Sequence, residues 1–168
     1  MRFGRFGRIF EDIEREFEET ERMIEEMFRT ARRLGPETGP LYYGYSIQIG
    51  PDGIPHIEHF GNVTPVSGGI LETGVREPYT TTVVDDKHNE LKINAEMPGV
   101  TKDQIKITAT EDQVEITAEG EDRKYRKVLK TPVPVDPETS KASYNNGVLE
   151  LTLKLKEPVK KGKEIKVD

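Results

Sequence analysis

Apolar residues recur along this chain with two different periods. Between Arg8 and Leu34 the spacing is three or four. Phe10, Ile13, Phe17, Thr20, Ile24 and Met27 then share one face of a predicted helix, while Glu14, Glu18, Glu21 and Glu25 fill other faces. Acids crowd the early turns and Arg29, Arg32 and Arg33 the last, an order that complements the helix dipole, and Gly35-Pro36 stops the helix. From Tyr79 to Leu155 the period is two. Leu91–Met97, Ile105–Ala109, Val114–Ala118 and Leu149–Leu155 each alternate apolar with polar. Tyr125–Leu129 and Lys141–Tyr144 do so more weakly. Alternation of this kind sends one face of a strand into a core and the other into water. The runs are separated by turn-formers: Asp86–Asn89, Pro98-Gly99, Glu111-Asp112 and Asn145-Asn146-Gly147. Short strands at this spacing predict an all-β, antiparallel sandwich.

Two stretches follow neither period. Gly35 to Pro78 is punctuated by Gly and Pro. It holds one expected hairpin over 43–60: Tyr43–Ile49 alternates, Gly50-Pro51-Asp52-Gly53 makes the turn, and Ile54–Phe60 returns. The rest, through Pro65, Gly68, Gly69 and Gly74, reads as linker. The stretch after Lys156 is highly charged, with one isolated apolar pair, Ile165 and Val167, around Lys166. Two such residues at i and i+2 point the same way from an extended segment and fit two neighbouring pockets beside a sheet edge. The chain thus divides into an arm (1–78, with its helix at about 8–34), a domain (79–156) and a tail (157–168).

Composition narrows the function. With 168 residues, 33% hydrophobic and 33% charged, the chain supports one modest core with appendages. A net charge of −6 argues against nucleic acid as a partner. The absence of cysteine excludes disulfides and thiolate chemistry. The basic start, Arg2, Arg5 and Arg8, is followed by Glu11 and Asp12 rather than an apolar run, so the expected compartment is the cytoplasm, with no stable membrane insertion. Histidines occur at 56, 59 and 88. His56-Ile57-Glu58-His59 offers ligands only superficially, because the stretch is flanked by glycines, and no metal site is expected. No nucleophile elbow, phosphate loop or metal-hydrolase motif is present, so no catalytic residue and no cofactor are expected.

Four motifs in order resemble those of the small heat-shock proteins, the α-crystallin domain family, and its archaeal and bacterial members in particular. They are Ala95-Glu96-Met97-Pro98-Gly99-Val100, Pro134-Val135-Asp136, Ala142-Ser143-Tyr144-Asn145-Asn146-Gly147-Val148-Leu149, and Ile165-Lys166-Val167. The signature residues are Pro98, Gly99, Ala142, Gly147, Val148 and Leu149. The resemblance implies an immunoglobulin-like sandwich with an N-terminal helical arm and an extended C-terminal tail. It implies an ATP-independent holdase that binds non-native client proteins and assembles with itself, into about two dozen subunits in relatives. Ile165 and Val167 would dock in a neighbour's groove built from Ile105, Ile107, Ala142 and Tyr144. Phe3, Phe6, Phe10, Ile13, Phe17, Ile24 and Met27 would serve assembly and client contact. The alternative is a non-oligomeric adaptor on the same sandwich, resembling the co-chaperone branch of the superfamily. One departure stands out. Non-animal members carry a long loop with a strand exchanged between subunits, whereas here Gly120-Glu121-Asp122-Arg123 leads at once to Tyr125.

Overall fold

A computed structural model describes residues 3–36, 39–49, 55–66, 70–158 and 165–167. The elements are α1 (Phe3–Leu34), β1 (Tyr43–Ile49), β2 (Pro55–Val66), β3 (Ile70–Glu77), β4 (Thr80–Asp85), β5 (Glu90–Glu96), a single 3-10 turn (Lys102–Gln104), β6 (Ile105–Ala109), β7 (Gln113–Glu119), β8 (Lys124–Lys130), β9 (Val135–Asn145) and β10 (Val148–Leu155). They form two sheets. One runs β4-β5-β10-β9 and the other β1-β2-β3-β8-β7-β6.

The sandwich packs β4-β5-β10-β9 against β8-β7-β6, and alternation explains why. Leu91, Ile93 and Ala95 of β5, Val114, Ile116 and Ala118 of β7, and Leu149, Leu151 and Leu153 of β10 are all buried in one cluster. Their polar neighbours along each strand face outward. Each such side chain contributes about 1.5–3 kcal/mol of burial, less for the alanines. The β9–β10 hairpin turns on Asn146 (φ 51°) and Gly147 (φ 82°), the pair of left-handed residues that a two-residue hairpin with right-handed strand twist requires. A Cβ on Gly147 would also stand 3.3 Å from Pro98 Cα, so two of the signature motifs meet in space.

Two expectations need correction. First, α1 begins at Phe3 rather than near Arg8, which leaves its first turn without an acid. Second, the stretch read as linker is strand: β2 runs on to Val66, and β3 takes Ile70–Glu77, Gly74 included. Backbone ladders with β1 and β8 hold it, where apolar patterning gives no signal. The sandwich itself is antiparallel in every described pair, as expected, and the arm's sheet joins it differently. β3 meets β8 in parallel, through Val75↔Lys124 and Arg76↔Tyr125. Val135 and Asp136 of the second motif open β9. The expected turn at Gly50–Gly53, Ile54 after it, and Gly68-Gly69 lie outside the described residues.

Candidate functional site

The groove is built by two edge strands. β6 ends one sheet and β9 ends the other, and their edges run side by side. Between them lie two adjoining depressions of about 230 and 400 Å³. The first is lined by Ile107, Ala109, Pro137, Ser140, Ala142 and Leu151. The second holds Ile105, Ile107, Ala142, Tyr144 and Leu149, with Lys102, Ser143 and Asn145 at its rim. All four groove residues named from the sequence are therefore brought together. Sequence reasoning missed Pro137, Ser140 and Leu151. The first two lie on β9, whose mostly exposed pattern gives little signal, and Leu151 reads simply as core.

Hydrogen bonds to backbone carbonyls fix one end of the groove. Tyr144 Oη lies 2.7 Å from the Met97 carbonyl oxygen and 3.0 Å from that of Val100, and donates between them. Burial raises the Tyr144 hydroxyl above its ordinary pKa, so the donor keeps its proton. The Pro98 carbonyl accepts from Tyr125 Oη (2.7 Å) and Arg123 Nη1 (3.1 Å). Four residues, Gly120–Arg123, suffice to join β7 to β8, with the Gly120 N–H donating to the Arg123 carbonyl at 2.8 Å.

Ile165 and Val167 are 85% and 95% exposed. Neither packs against the described core. Residues i and i+2 of an extended segment stand about 6.6 Å apart on one face, the scale of two adjoining depressions.

The helix does not present its stripe as one surface. Met23 is buried with Val63 of β2, and Met27, Leu41 and Tyr43 pack around them. Ile13, Thr20 and Met27 are half-buried. Phe10, Phe17, Ile24 and Phe28 are exposed. The side chains of Phe3 and Phe6 fall outside the described set. Met23 and Phe28 were not singled out in the sequence: each also fits a three-or-four spacing but is next to a residue, Ile24 or Met27, already assigned to the stripe.

The other contacts within the arm are polar and aromatic. His59 Nε2 lies 2.7 Å from Glu16 Oε2, with Glu19 beside them, the three donor atoms within 4.8 Å of one another. His59 stacks on Tyr43 and meets Tyr45 at a tilt, while Phe17 meets Tyr45 edge-on. Burial, and after it the Glu16 and Glu19 carboxylates, push the Tyr43 hydroxyl up to about 12. His59 thus lies on the returning strand of the expected hairpin, where Glu16 of the helix holds it. Beneath the arm, Lys127 of β8 is buried, its Nζ 2.6 Å from the His59 carbonyl, 2.9 Å from Glu77 and 3.4 Å from Glu58. At the far end of the domain His88 Nδ1 and Lys92 Nζ each approach Asp85 Oδ2 at 2.8 Å.

The family model described as "Hsp20/alpha crystallin family" matches residues 83–168, just over half of the chain. The chain belongs to the Hsp20/alpha crystallin family. It has that family's sandwich, and its role is that of a small heat-shock protein, a chaperone class and not an enzyme class. Among solved structures, heat shock protein 16.0 from Schizosaccharomyces pombe is 19% identical over 55% of this chain and 98% of its own, with a TM-score of 0.44. A Del-C4 mutant of hsp14.1 from Sulfolobus solfataricus P2 is 27% identical over 49% and 78%, also at 0.44. A small heat-shock protein from Xylella fastidiosa is 16% identical over 54% and 95%, at 0.41. No curated protein matches the chain. No helix among the described residues is long and apolar enough to cross a membrane.

Proposed function

We propose that this small heat-shock protein is an ATP-independent holdase that works as a dynamic homo-oligomer. Ile165 and Val167 of one chain dock in the β6–β9 groove of another, and the arm supplies the surface for non-native clients. The observation that carries the reading is the match between two adjoining, apolar-floored depressions and an apolar pair that its own chain leaves exposed. Burying both side chains contributes about 3–6 kcal/mol. Ordering the tail and joining two chains offset much of that. Each dock is therefore weak, and the assembly depends on many at once, so subunits exchange. Exposed Phe10, Phe17, Ile24 and Phe28 form the kind of apolar surface that adapts to many partners.

The test is light scattering with a heat-labile client. The expected result is suppressed aggregation at stoichiometric ratios, without nucleotide. Failure to suppress at any temperature and excess overturns the reading. The double variant Ile165→Ser/Val167→Ser is expected to lower the native mass. If the unmodified chain is already a monomer, the adaptor reading replaces this one.

A further inference from the structure

We propose that the face of β8 around Lys127 is an exchange site between copies, where the β2–β3 hairpin of a second chain docks in place of the chain's own. This rests on the assembly reading above.

Three observations carry it. The Gly120–Arg123 loop is a closed hairpin connection, so it holds no strand to exchange. The arm's sheet joins β8 through only two residue pairs in parallel, Val75↔Lys124 and Arg76↔Tyr125. The other anchors are mostly polar: Lys127, buried in an inward-facing position between Tyr125 and Leu129, meets Glu58 of β2 and Glu77 of β3, Glu58 also accepts from the Thr80 and Thr82 hydroxyls of β4 at 3.5 Å, and Gln48 donates to the Thr80 carbonyl. The hairpin, with β1 laddered to β2 and Met23 of α1 packed on Val63, is therefore part of an acidic body attached at a cationic strand and moves with that body.

The same charges decide which partner fits. β8 reads Lys-Tyr-Arg-Lys-Val-Leu-Lys. Pairing it with itself about Lys127 would set Lys127 against Lys127 and Lys124 against Lys130. Pairing it about Val128 would set Arg126 against Lys130. Like charges directly opposite are destabilising, so β8 rejects its own copy and accepts Glu58 and Glu77. The connection to the sandwich is short, Pro78-Tyr79 between β3 and β4. A short hinge that straightens hands the hairpin to a neighbour with every contact preserved, and a two-fold pair closes the exchange.

Charge-swap complementation tests it. One chain carries Lys127→Glu, and another carries Glu58→Lys with Glu77→Lys. Alone, each sets like charges together at this contact. In an exchanged pair of the two, both contacts regain opposite charges. The expected result is that each variant alone shows a reduced native mass and that refolding them together restores it, with mixed pairs exceeding unmixed ones by more than about tenfold. A mixture no different from its separate components overturns the proposal. The chain has no cysteine, which permits a second measurement. Val75→Cys and Lys124→Cys chains, mixed and oxidised, are expected to give a covalent dimer, and the doubly substituted chain to link between chains. Linkage only within one chain, in a protein of high native mass, overturns exchange and leaves the assembly reading standing. A monomeric native mass for the unmodified chain overturns both.

Discussion

The sandwich and the arm are held by opposite means. Between the sheets the contacts are almost wholly apolar: Leu91, Ile93, Ile116, Leu151 and Leu153 are each within 2% of complete burial. Between arm and sandwich the decisive contacts are Lys127 with Glu58 and Glu77; on the arm itself they are His59 with Glu16 and a set of aromatic rings. Apolar burial is insensitive to salt and hard to undo piecemeal, whereas ion pairs and rings release as a unit once solvent enters. The difference predicts conditions, high salt among them, under which the arm is released while the scaffold stays folded.

The largest effect that would break this contrast comes from the core. Leu151→Ala is expected to cost about 3–5 kcal/mol and to unfold sandwich and arm together, measured by denaturant melts. A cost confined to the arm would mean that the two regions are not separate. Next, Lys127→Met leaves Glu58 and Glu77 without their cation. A local cost of about 2–3 kcal/mol is expected, the lower side of the range for buried pairs because Glu77 reaches solvent. Amide exchange is expected to quicken in β2 and β3 while β5 and β10 stay protected. Tyr144→Phe removes the donor to Met97 and Val100 and is expected to cost about 1 kcal/mol by thermal melt, with weaker tail docking if the groove end loosens.

The smallest effect is at Asp85, which sharpens the electrostatic side. Hydrogen bonds from Lys92 and then from His88 hold its carboxyl well below the usual carboxylate range. A carboxyl whose pKa is lowered on folding stabilises the fold above its unfolded pKa, and that stability is lost as pH falls. The melting gap between the wild type and Asp85→Asn is therefore expected to be widest near neutrality and to close as pH drops below about 4. A gap that widens in acid would contradict the assignment.

Strands whose inward faces meet other strands across the core were legible, because burial imposes period two on β5, β7 and β10 directly. β6, which floors the groove, was legible for the same reason. β9 was faint because it is an edge, and its sequence answers to solvent over most of its length. The groove could be placed, and yet only four of its lining residues named, since Pro137 and Ser140 carry no pattern of their own. β3 was invisible for a different reason. Its Gly74 (φ 99°) and the Gly61 (φ 145°) of β2 look like breakers, yet they flank the register shift that bends the pair. Beyond its ladder with β2 and two pairs with β8, what ties β3 to the sandwich is Lys127, fifty residues further along the chain from Glu77. A lysine at an inward position of an alternating strand is the one local sign that a charged partner must exist. No periodicity names that partner.

The four-residue loop at Gly120–Arg123 also bears on how the chain acquires its shape. A sheet that borrows a strand from a neighbour is finished only after two molecules collide. Here β7 and β8 close on each other within one molecule, and the connection is among the shortest a hairpin allows. Refolding of the sandwich is therefore a unimolecular process. Its rate is expected to be the same at nanomolar and micromolar protein, and a newly made chain reaches a folded state before it has met another.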